Sequence, residues 1–178
     1  ESKALAFSAG FTGREIERLV SESGCQTDFI EIGGGLSRIN VKIKAEQESE
    51  INGQGPEILP KHLEALFCKL DALTADDILV LAGSIPNTLP ADMYERILDR
   101  LKGRKIRTVV DATRDLLKNV LPFHPFLIKP NNHELGELFG RRLQTDAEIA
   151  ECAKRLQEQG ARNVLVSMAK DGAILASE

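Results

Sequence analysis

Three polar residues that could hold phosphate or a metal ion follow the apolar run at 126–128. They are Lys129, Asn131 and Glu134. Asn131 and Glu134 are three residues apart, so on a helix both would lie on its first turn, where the peptide dipoles favour anions. An amide and a carboxylate in that place could hold a hydrated Mg²⁺ against phosphates, or they could simply cap the helix. These residues alone leave both possibilities open.

The other predicted buried strands also end in polar residues. They run into Gly83 and Ser84, into Asp111, and into the segment 167–172. In open α/β sheets, ligands bind beyond the carboxyl ends of the strands, so these ends are candidate site residues. Ser84 and Asp111 could instead cap the segments that follow them. The glycine run 33–35 has no following Lys-Ser or Lys-Thr, and we predict that it is a hairpin turn rather than a phosphate loop.

The carboxyl ends of these strands can meet at one edge only if strands and helices alternate along the chain. The hydrophobic pattern predicts this alternation. The predicted strands are 3–7, 77–83, 105–111, 126–129, 162–167 and 173–177, and the predicted helices are 12–24, 61–73, 91–103, 114–121, 132–140 and 145–160. This order favours an α/β fold with a parallel sheet covered by helices on both faces. Thr12 with Glu15, and Thr145 with Glu148, have the spacing of a capping box.

Between the first helix and the main α/β region, the pattern becomes short and alternating. The runs 28–32, 37–44 and 48–52 are rich in Ile and Val. In the second run one face would be apolar and the other polar and basic, the first with Ile39, Val41 and Ile43, the second with Arg38, Asn40, Lys42 and Lys44. We expect a three-stranded antiparallel sheet whose apolar side packs against another body or chain, because such a sheet is marginally stable alone.

Composition excludes several classes of partner. The chain has 178 residues, is 42% hydrophobic and 28% charged, and carries a formal charge of −4 with acidic and basic residues interspersed. We therefore expect neither a nucleic-acid partner nor a membrane partner. Apolar runs fall well short of the roughly 20 residues that span a bilayer. Cys25, Cys68 and Cys152 have no metal-ligand spacing, which is typical of reduced thiols in a cytoplasmic protein.

Five segments in this order and spacing resemble the ribokinase-like (PfkB) carbohydrate kinases over essentially the whole chain. They are SRINVKIK, NGQGPEI, LAGSIP, LIKPNNHEL and VLVSMAKDGA. The resemblance implies an α/β core formed by residues 1–27 and 54–178 and a small antiparallel β lid formed by residues 28–53. The lid strand RINVKI is similar to that of members that phosphorylate fructose 1-phosphate, so the implied reaction is its ATP-dependent conversion to fructose 1,6-bisphosphate.

There are two alternative hypotheses for the function. Tagatose 6-phosphate or another phosphosugar could be the substrate, which a panel of phosphosugars would decide. The chain could instead belong to a non-catalytic nucleotide-binding or assembly module that keeps the sheet without the chemistry. A nicotinamide dehydrogenase is disfavoured, because no GxGxxG follows a predicted strand.

The resemblance also implies roles for individual residues. Beside the phosphosugar it places Arg38, Asn40, Lys42 and Ser84. Arg38 suits the sugar phosphate best, because its planar guanidinium can donate two hydrogen bonds to phosphate oxygens. On the ATP side it places Lys129, Asn131, Ser167, Met168, Ala169, Lys170, Asp171 and Gly172. Asn131 and Glu134 match the family's element that orients Mg²⁺ through water, and the lid implies a homodimer.

The sequence departs from the family pattern in three ways. Ala169 stands where the family usually has glycine, so we expect a positive φ to be less accessible there, and SIPNTLP lacks the usual glycine after its proline turn. The family's GGKGxNVA element would lie before Glu1, and its GAGD element, with the catalytic Asp, after Glu178. The resemblance therefore assigns no catalytic base within this chain, and we expect an internal portion of a longer kinase that is inactive alone.

Overall fold

The computed structural model describes residues 1–44, 48–83 and 85–178. The chain divides into two compact units, Glu1–Asp71 and Ala72–Glu178. Among the described residues, each helix is too short or too polar to cross a membrane.

The first unit consists of a parallel βαβ arrangement followed by a hairpin and a helix. Its elements are β1 (Lys3–Ala4), β2 (Phe7–Ser8), α1 (Gly10–Glu22), β3 (Gln26–Thr27), β4 (Ile30–Glu31), β5 (Asn40–Lys44), β6 (Glu48–Asn52) and α2 (Pro60–Asp71). β1 pairs with β3 and β2 with β4, both in parallel, while β5 and β6 form an antiparallel two-stranded sheet. A small antiparallel sheet is thus present, as predicted.

The run 28–32 does not join this antiparallel sheet, so the prediction of a third strand there is wrong. It contributes β4, which pairs in parallel with β2, with Phe7 opposite Ile30. An alternating pattern predicts a strand but does not identify its partner, and a helix between two strands permits parallel pairing. Because β4 and β5 are not paired, the glycine run 33–35 is not a hairpin turn. The division between a core and a lid of residues 28–53 stays a prediction.

Helix α1 begins earlier than its sequence pattern indicates. Its N-cap is Ala9, with no side-chain capping bond, so the predicted capping box of Thr12 and Glu15 is wrong. Thr12 is buried on the first turn and donates its hydroxyl to the main-chain oxygen of Ser37 at 2.9 Å. Glu15 pairs with Arg18 at 2.6 Å instead. The hydrogen-bond partner of Thr12 comes from a distant part of the chain, which spacing cannot indicate.

The hairpin of β5 and β6 has the two unlike sides that the sequence predicts. Lys42 lies opposite Glu50, and Val41 lies opposite Ile51. One side is apolar and solvent-exposed, with relative exposures of 58% for Ile39, 46% for Val41, 47% for Ile43 and 61% for Ile51. These four side chains are called the apolar side of the hairpin below.

The second unit is an α/β unit built on a five-stranded sheet. Its elements are β7 (Ile78–Ala82), α3 (Met93–Arg100), β8 (Arg107–Asp111), α4 (Arg114–Val120), β9 (Leu127–Ile128), α5 (Asn132–Leu138), α6 (Asp146–Glu158), β10 (Asn163–Ser167) and β11 (Ala173–Ala176), with 3-10 helices at Leu121–Phe123 and Ala169–Asp171. The order is β11-β10-β9-β8-β7; β7 to β10 are parallel and β11 is antiparallel to β10.

Only one face of this sheet is well buried. Val110, Ile128 and Val164 share that face and are fully buried. The opposite face exposes 53% of Ile78 and 58% of Val80. Since neighbouring strands follow one another in the chain and such crossovers are right-handed, the connecting helices lie on one side of the sheet. The predicted sheet flanked by helices is present, and within this unit the helices lie on one side of it.

Candidate functional site

The carboxyl ends of the parallel strands meet at one edge of the second unit. The N–H of Gly83, after β7, donates to the carbonyl oxygen of Asp111 at 3.3 Å. The N–H of Lys129 donates to Val110 at 3.1 Å, and the N–H of Ser167 donates to Pro130 at 3.1 Å. The structure therefore brings the predicted ATP-side residues to one edge. Ser84, predicted to lie beside the sugar, is outside the described residues.

A cation and a carboxylate face each other at this edge. Lys129 Nζ lies 3.1 Å from Asp111 Oδ2, and both side chains are about two-fifths exposed. The alternative that Asp111 caps the next helix is wrong, because Thr113 is the N-cap of α4 and provides no side-chain cap. Solvent screens a pair that is this exposed, so it adds little stability and can open for a ligand. Its main effect is to hold the Lys129 ammonium at the strand ends.

Tyr94 also belongs to this edge, although the sequence pattern did not single it out. It lies on α3, is 8% exposed, and donates its hydroxyl to the carbonyl oxygen of Gly83 at 3.1 Å. Burial raises the pKa of Tyr94, and the negative charge of Asp111 raises it further. The phenol therefore stays a neutral donor and fixes the turn that leaves β7. The chain has a single tyrosine, and this rarity is the sequence feature that could have drawn attention to Tyr94.

Asn131 and Glu134 form a complete capping box on α5. The Glu134 N–H donates to Asn131 Oδ1 at 2.8 Å, and the Asn131 N–H donates to Glu134 Oε2 at 2.8 Å. The two residues therefore cap the helix, which is one of the two possibilities that the sequence left open. This cap leaves Glu134 Oε1 without a hydrogen bond from the part of the chain that the structure describes, so one carboxylate oxygen remains for water or a hydrated cation.

The residues at this edge fit Mg²⁺ better than a metal that needs several protein ligands. Among the described residues, no three His, Cys, Asp or Glu side chains cluster in a way that could hold a metal ion. Mg²⁺ usually keeps several waters and takes one or two carboxylates together with substrate phosphates. A single carboxylate oxygen on Glu134, held in place by the Asn131 N–H, matches that requirement.

The segment 167–172 forms a tight connection between β10 and β11. The Met168 N–H donates to the oxygen of Gly172 at 2.8 Å, and a parallel bridge joins Ser167 to Asn131. Ala169 adopts φ +50°, although we expected a positive φ to be less accessible to alanine there. A non-glycine residue there costs roughly 1–2 kcal/mol. The alanine therefore adds strain to this loop.

Two of the predicted sugar-side residues, Asn40 and Lys42, lie on the polar side of the hairpin, in the first unit. Lys42 Nζ lies 2.7 Å from Glu50 Oε1, with 66% and 46% of the two side chains exposed. The hydrogen bond from Lys42, followed by its charge, lowers the pKa of Glu50. Asn40 lies opposite Asn52. Arg38 lies two residues before this strand, so its position depends on what anchors the start of the hairpin.

The chain matches the model of the pfkB family carbohydrate kinases over residues 4–178. It is 47% identical over 98% of its length to the Bacillus subtilis (strain 168) protein named 1-phosphofructokinase, and it covers 57% of that protein. It is 37% identical over 98% of its length to the Bacillus licheniformis protein named D-tagatose-1-phosphate kinase, again covering 57%. The chain therefore spans little more than half the length of these curated relatives.

Solved structures agree on the fold. A Staphylococcus aureus candidate phosphofructokinase superposes with a TM-score of 0.84 at 39% identity, over 100% of this chain and 58% of that one. Escherichia coli phosphofructokinase-2, in complex with substrates and products, superposes with a TM-score of 0.87 at 22% identity, over 99% of this chain and 59% of that one. The predicted ribokinase-like fold is confirmed.

Proposed function

Because the chain belongs to the pfkB family of carbohydrate kinases, we propose that the protein carrying it transfers the γ-phosphoryl group of ATP to fructose 1-phosphate and forms fructose 1,6-bisphosphate. The observation that carries this proposal is the 47% identity to the Bacillus subtilis 1-phosphofructokinase. The edge of the second unit supplies features that such a reaction needs, namely a cation, an oriented carboxylate and a tight loop.

The edge residues have distinct roles in this proposal. The Lys129 ammonium, held by Asp111 at 3.1 Å, exchanges that partner for phosphate oxygens of ATP. The backbone and side chains of Ser167 to Gly172 contact the nucleotide. Glu134, with Asn131, would hold Mg²⁺ through water, and the ion would there neutralise charge on the phosphate oxygens. The chain's own contribution is therefore positioning and electrostatic stabilisation.

The substrate is tested by measuring coupled ADP release with Mg·ATP and several phosphosugars. We expect the highest kcat/KM with fructose 1-phosphate. The second candidate is tagatose 1-phosphate, which the 37% identity to a D-tagatose-1-phosphate kinase favours. Tagatose 6-phosphate and fructose 6-phosphate complete the panel. Higher kcat/KM with any of these three would overturn the proposed substrate, and nucleotide binding without any sugar turnover would favour a non-catalytic module.

We expect Arg38→Ala to weaken use of the phosphosugar. Loss of one charged hydrogen-bonding group costs about 1.5–3 kcal/mol, which is roughly tenfold or more in KM. The other proposed contacts to the sugar come from Asn40, Lys42 and Ser84. The KM for ATP should change much less, because Lys129 and the loop bind that substrate. Michaelis kinetics with each substrate varied in turn measures this, and equal changes in both KM values would contradict separate binding sites.

We also propose that the protein forms a homodimer through the apolar side of the hairpin. Its four side chains are 46–61% exposed, and a two-stranded sheet is marginally stable by itself. Full burial of one Val or Ile side chain contributes about 1.5–3 kcal/mol, so covering four of them would stabilise both the hairpin and the dimer. A second copy of the same hairpin presents a matching surface.

Val41→Lys is expected to convert the dimer to a monomer, because it would bury an unpaired charge between apolar side chains. Size-exclusion chromatography with light scattering measures the mass. Asn52→Lys is the matched control, since it adds the same charge on the polar side of the same hairpin and should leave the dimer intact. A wild-type monomer, or a dimer that survives Val41→Lys, would refute this interface.

A cytoplasmic location fits these proposals. Cys25, Cys68 and Cys152 are all unpaired thiols. Such thiols are typical of reducing compartments, and the proposed reaction consumes ATP.

A further inference from the structure

Ser37 is held against the first turn of α1 by three hydrogen bonds. The Ala9 N–H donates to Ser37 Oγ at 3.0 Å, and the Ser37 N–H donates back to the Ala9 oxygen at 2.9 Å. The third bond comes from the hydroxyl of Thr12, which donates to the Ser37 oxygen at 2.9 Å. Ser37 therefore uses its main-chain N–H, its main-chain oxygen and its side chain in this one contact.

The contact is close-packed and largely shielded from water. Ala9 is 1% exposed and Thr12 is 9% exposed. A Cβ on Gly10 would lie 2.6 Å from the oxygen of Gly35, and a Cβ on Gly13 would lie 3.0 Å from Ser37 Oγ. Two glycines thus let the segment before Ser37 approach the helix. Hydrogen bonds in such a site lose much when one partner is removed, because the other is left buried and unpaired.

This contact lies at the start of the hairpin. Ser37 precedes Arg38 directly, and β5 begins at Asn40. Consecutive Cα atoms are about 3.8 Å apart, so an anchored Ser37 restricts where the Arg38 side chain can begin. At the other strand, the Gly53 N–H donates to the Ile39 oxygen at 3.1 Å and closes the base of the hairpin. The hairpin is therefore attached to the unit through the residues next to Arg38.

We infer that Thr12 and Ser37 are positioning residues that hold Arg38 where it contacts the phosphate of the sugar substrate. The inference rests on the proposed function. A capping role does not explain Thr12, because α1 has no side-chain cap and the Thr12 hydroxyl is 3.5 Å from the Ala9 oxygen, a long distance for a hydrogen bond. Its short bond is the one to Ser37.

The variant Thr12→Val, made in the protein that carries this chain, tests this positioning role. Valine keeps the shape of the threonine side chain and removes its hydroxyl donor. We expect the KM for the phosphosugar to rise about threefold to tenfold, as for loss of one hydrogen bond, while the KM for ATP stays unchanged. Thr12→Ser restores the donor and should restore the KM. Thr108→Val is the matched control: Thr108 is 8% exposed on β8, so the same replacement is made at a buried threonine of the other unit. It should change neither KM.

A double-mutant cycle with Arg38→Ala shows whether Thr12 acts through Arg38. If it does, Thr12→Val has little further effect on the phosphosugar KM once Arg38 is alanine, because coupled residues are not additive. Additive effects, or equal rises in both KM values, would overturn the inference.

Hydrogen exchange provides a readout that does not depend on a substrate. Thr12→Val should speed exchange of the Ala9 and Ser37 amides, and unchanged exchange would overturn the inference even if the KM rose. A wild-type protein that phosphorylates no sugar phosphate would refute the proposed function, and with it the role assigned to Arg38. Faster exchange in that case would show that the anchor exists without serving this reaction.

Discussion

Asn131→Ala is expected to lower kcat/KM for Mg·ATP by about 10²- to 10³-fold and to leave the KM for the phosphosugar nearly unchanged. The Glu134 N–H donates to the side-chain oxygen of Asn131 at 2.8 Å, and the Asn131 N–H donates to the Glu134 carboxylate at the same distance. Alanine removes the amide and loosens the carboxylate that we propose orients hydrated Mg²⁺. Steady-state kinetics with Mg·ATP varied at saturating sugar measures the effect.

The chain contains its own control for the loss of a helix cap. Thr145 and Glu148 form a second capping box on α6, with the Glu148 N–H donating to Thr145 Oγ1 at 3.3 Å and the Thr145 N–H donating to Glu148 Oε2 at 3.0 Å. Thr145→Ala should cost about 1 kcal/mol of stability, as loss of the Asn131 cap should. We expect no loss of kcat/KM, because we assign Thr145 and Glu148 no role at the site.

Asn131→Asp separates capping from catalysis at the same position. A carboxylate still accepts the Glu134 N–H, so thermal stability should be retained. The added negative charge would face ATP phosphates, so kcat/KM should fall nevertheless. If Asn131→Ala and Thr145→Ala have the same small effect on kinetics, the capping box is purely structural and the proposed Mg²⁺ role of Asn131 and Glu134 is wrong.

Local signals explain what could be predicted from the sequence. The run 77–83 contains β7, Ile78–Ala82, and the run 162–167 contains β10, Asn163–Ser167, because a short run rich in Val, Ile and Leu between polar turns predicts a strand. The capping box at Thr145 follows from a spacing of three residues. Each of these signals lies within a few neighbouring residues.

The predictions that failed depend on partners far along the chain. The run 28–32 has a strand pattern, but only its contact with β2 makes it part of a parallel pair. Thr12 has capping spacing, yet Ser37 determines what its hydroxyl does. Tyr94 likewise reaches the site through Gly83, eleven residues before it. Hydrophobic periodicity contains no information on such contacts, whereas the family resemblance supplied the roles assigned to residues at the strand ends.

A polypeptide consisting only of these 178 residues is expected not to catalyse phosphoryl transfer. Asp111 lies beside Lys129, at the place that we propose for the ATP phosphates rather than the sugar hydroxyl, and Glu134 uses one oxygen in its capping box. Asp171 lies exposed in the turn before β11. The sequence contains no GAGD element, from which the family draws its base and anion hole. Lacking a general base costs about 10²–10⁴ in rate, and lacking an anion hole costs roughly another 10²–10³.

The test is coupled ADP release by the purified 178-residue polypeptide with fructose 1-phosphate and Mg·ATP. Self-association must be separated from inactivity, because Ile78, Val80 and Leu175 expose 53–59% of their surface on one face of the sheet and such patches promote association. Val80→Lys should therefore improve solubility without restoring turnover. Turnover of about 1 s⁻¹ or more, within the usual range of kinases, by either polypeptide would show that a carboxylate of this chain acts as the base. Asp111→Asn would then identify it, since Asp111 already lies beside the Lys129 ammonium at the strand ends.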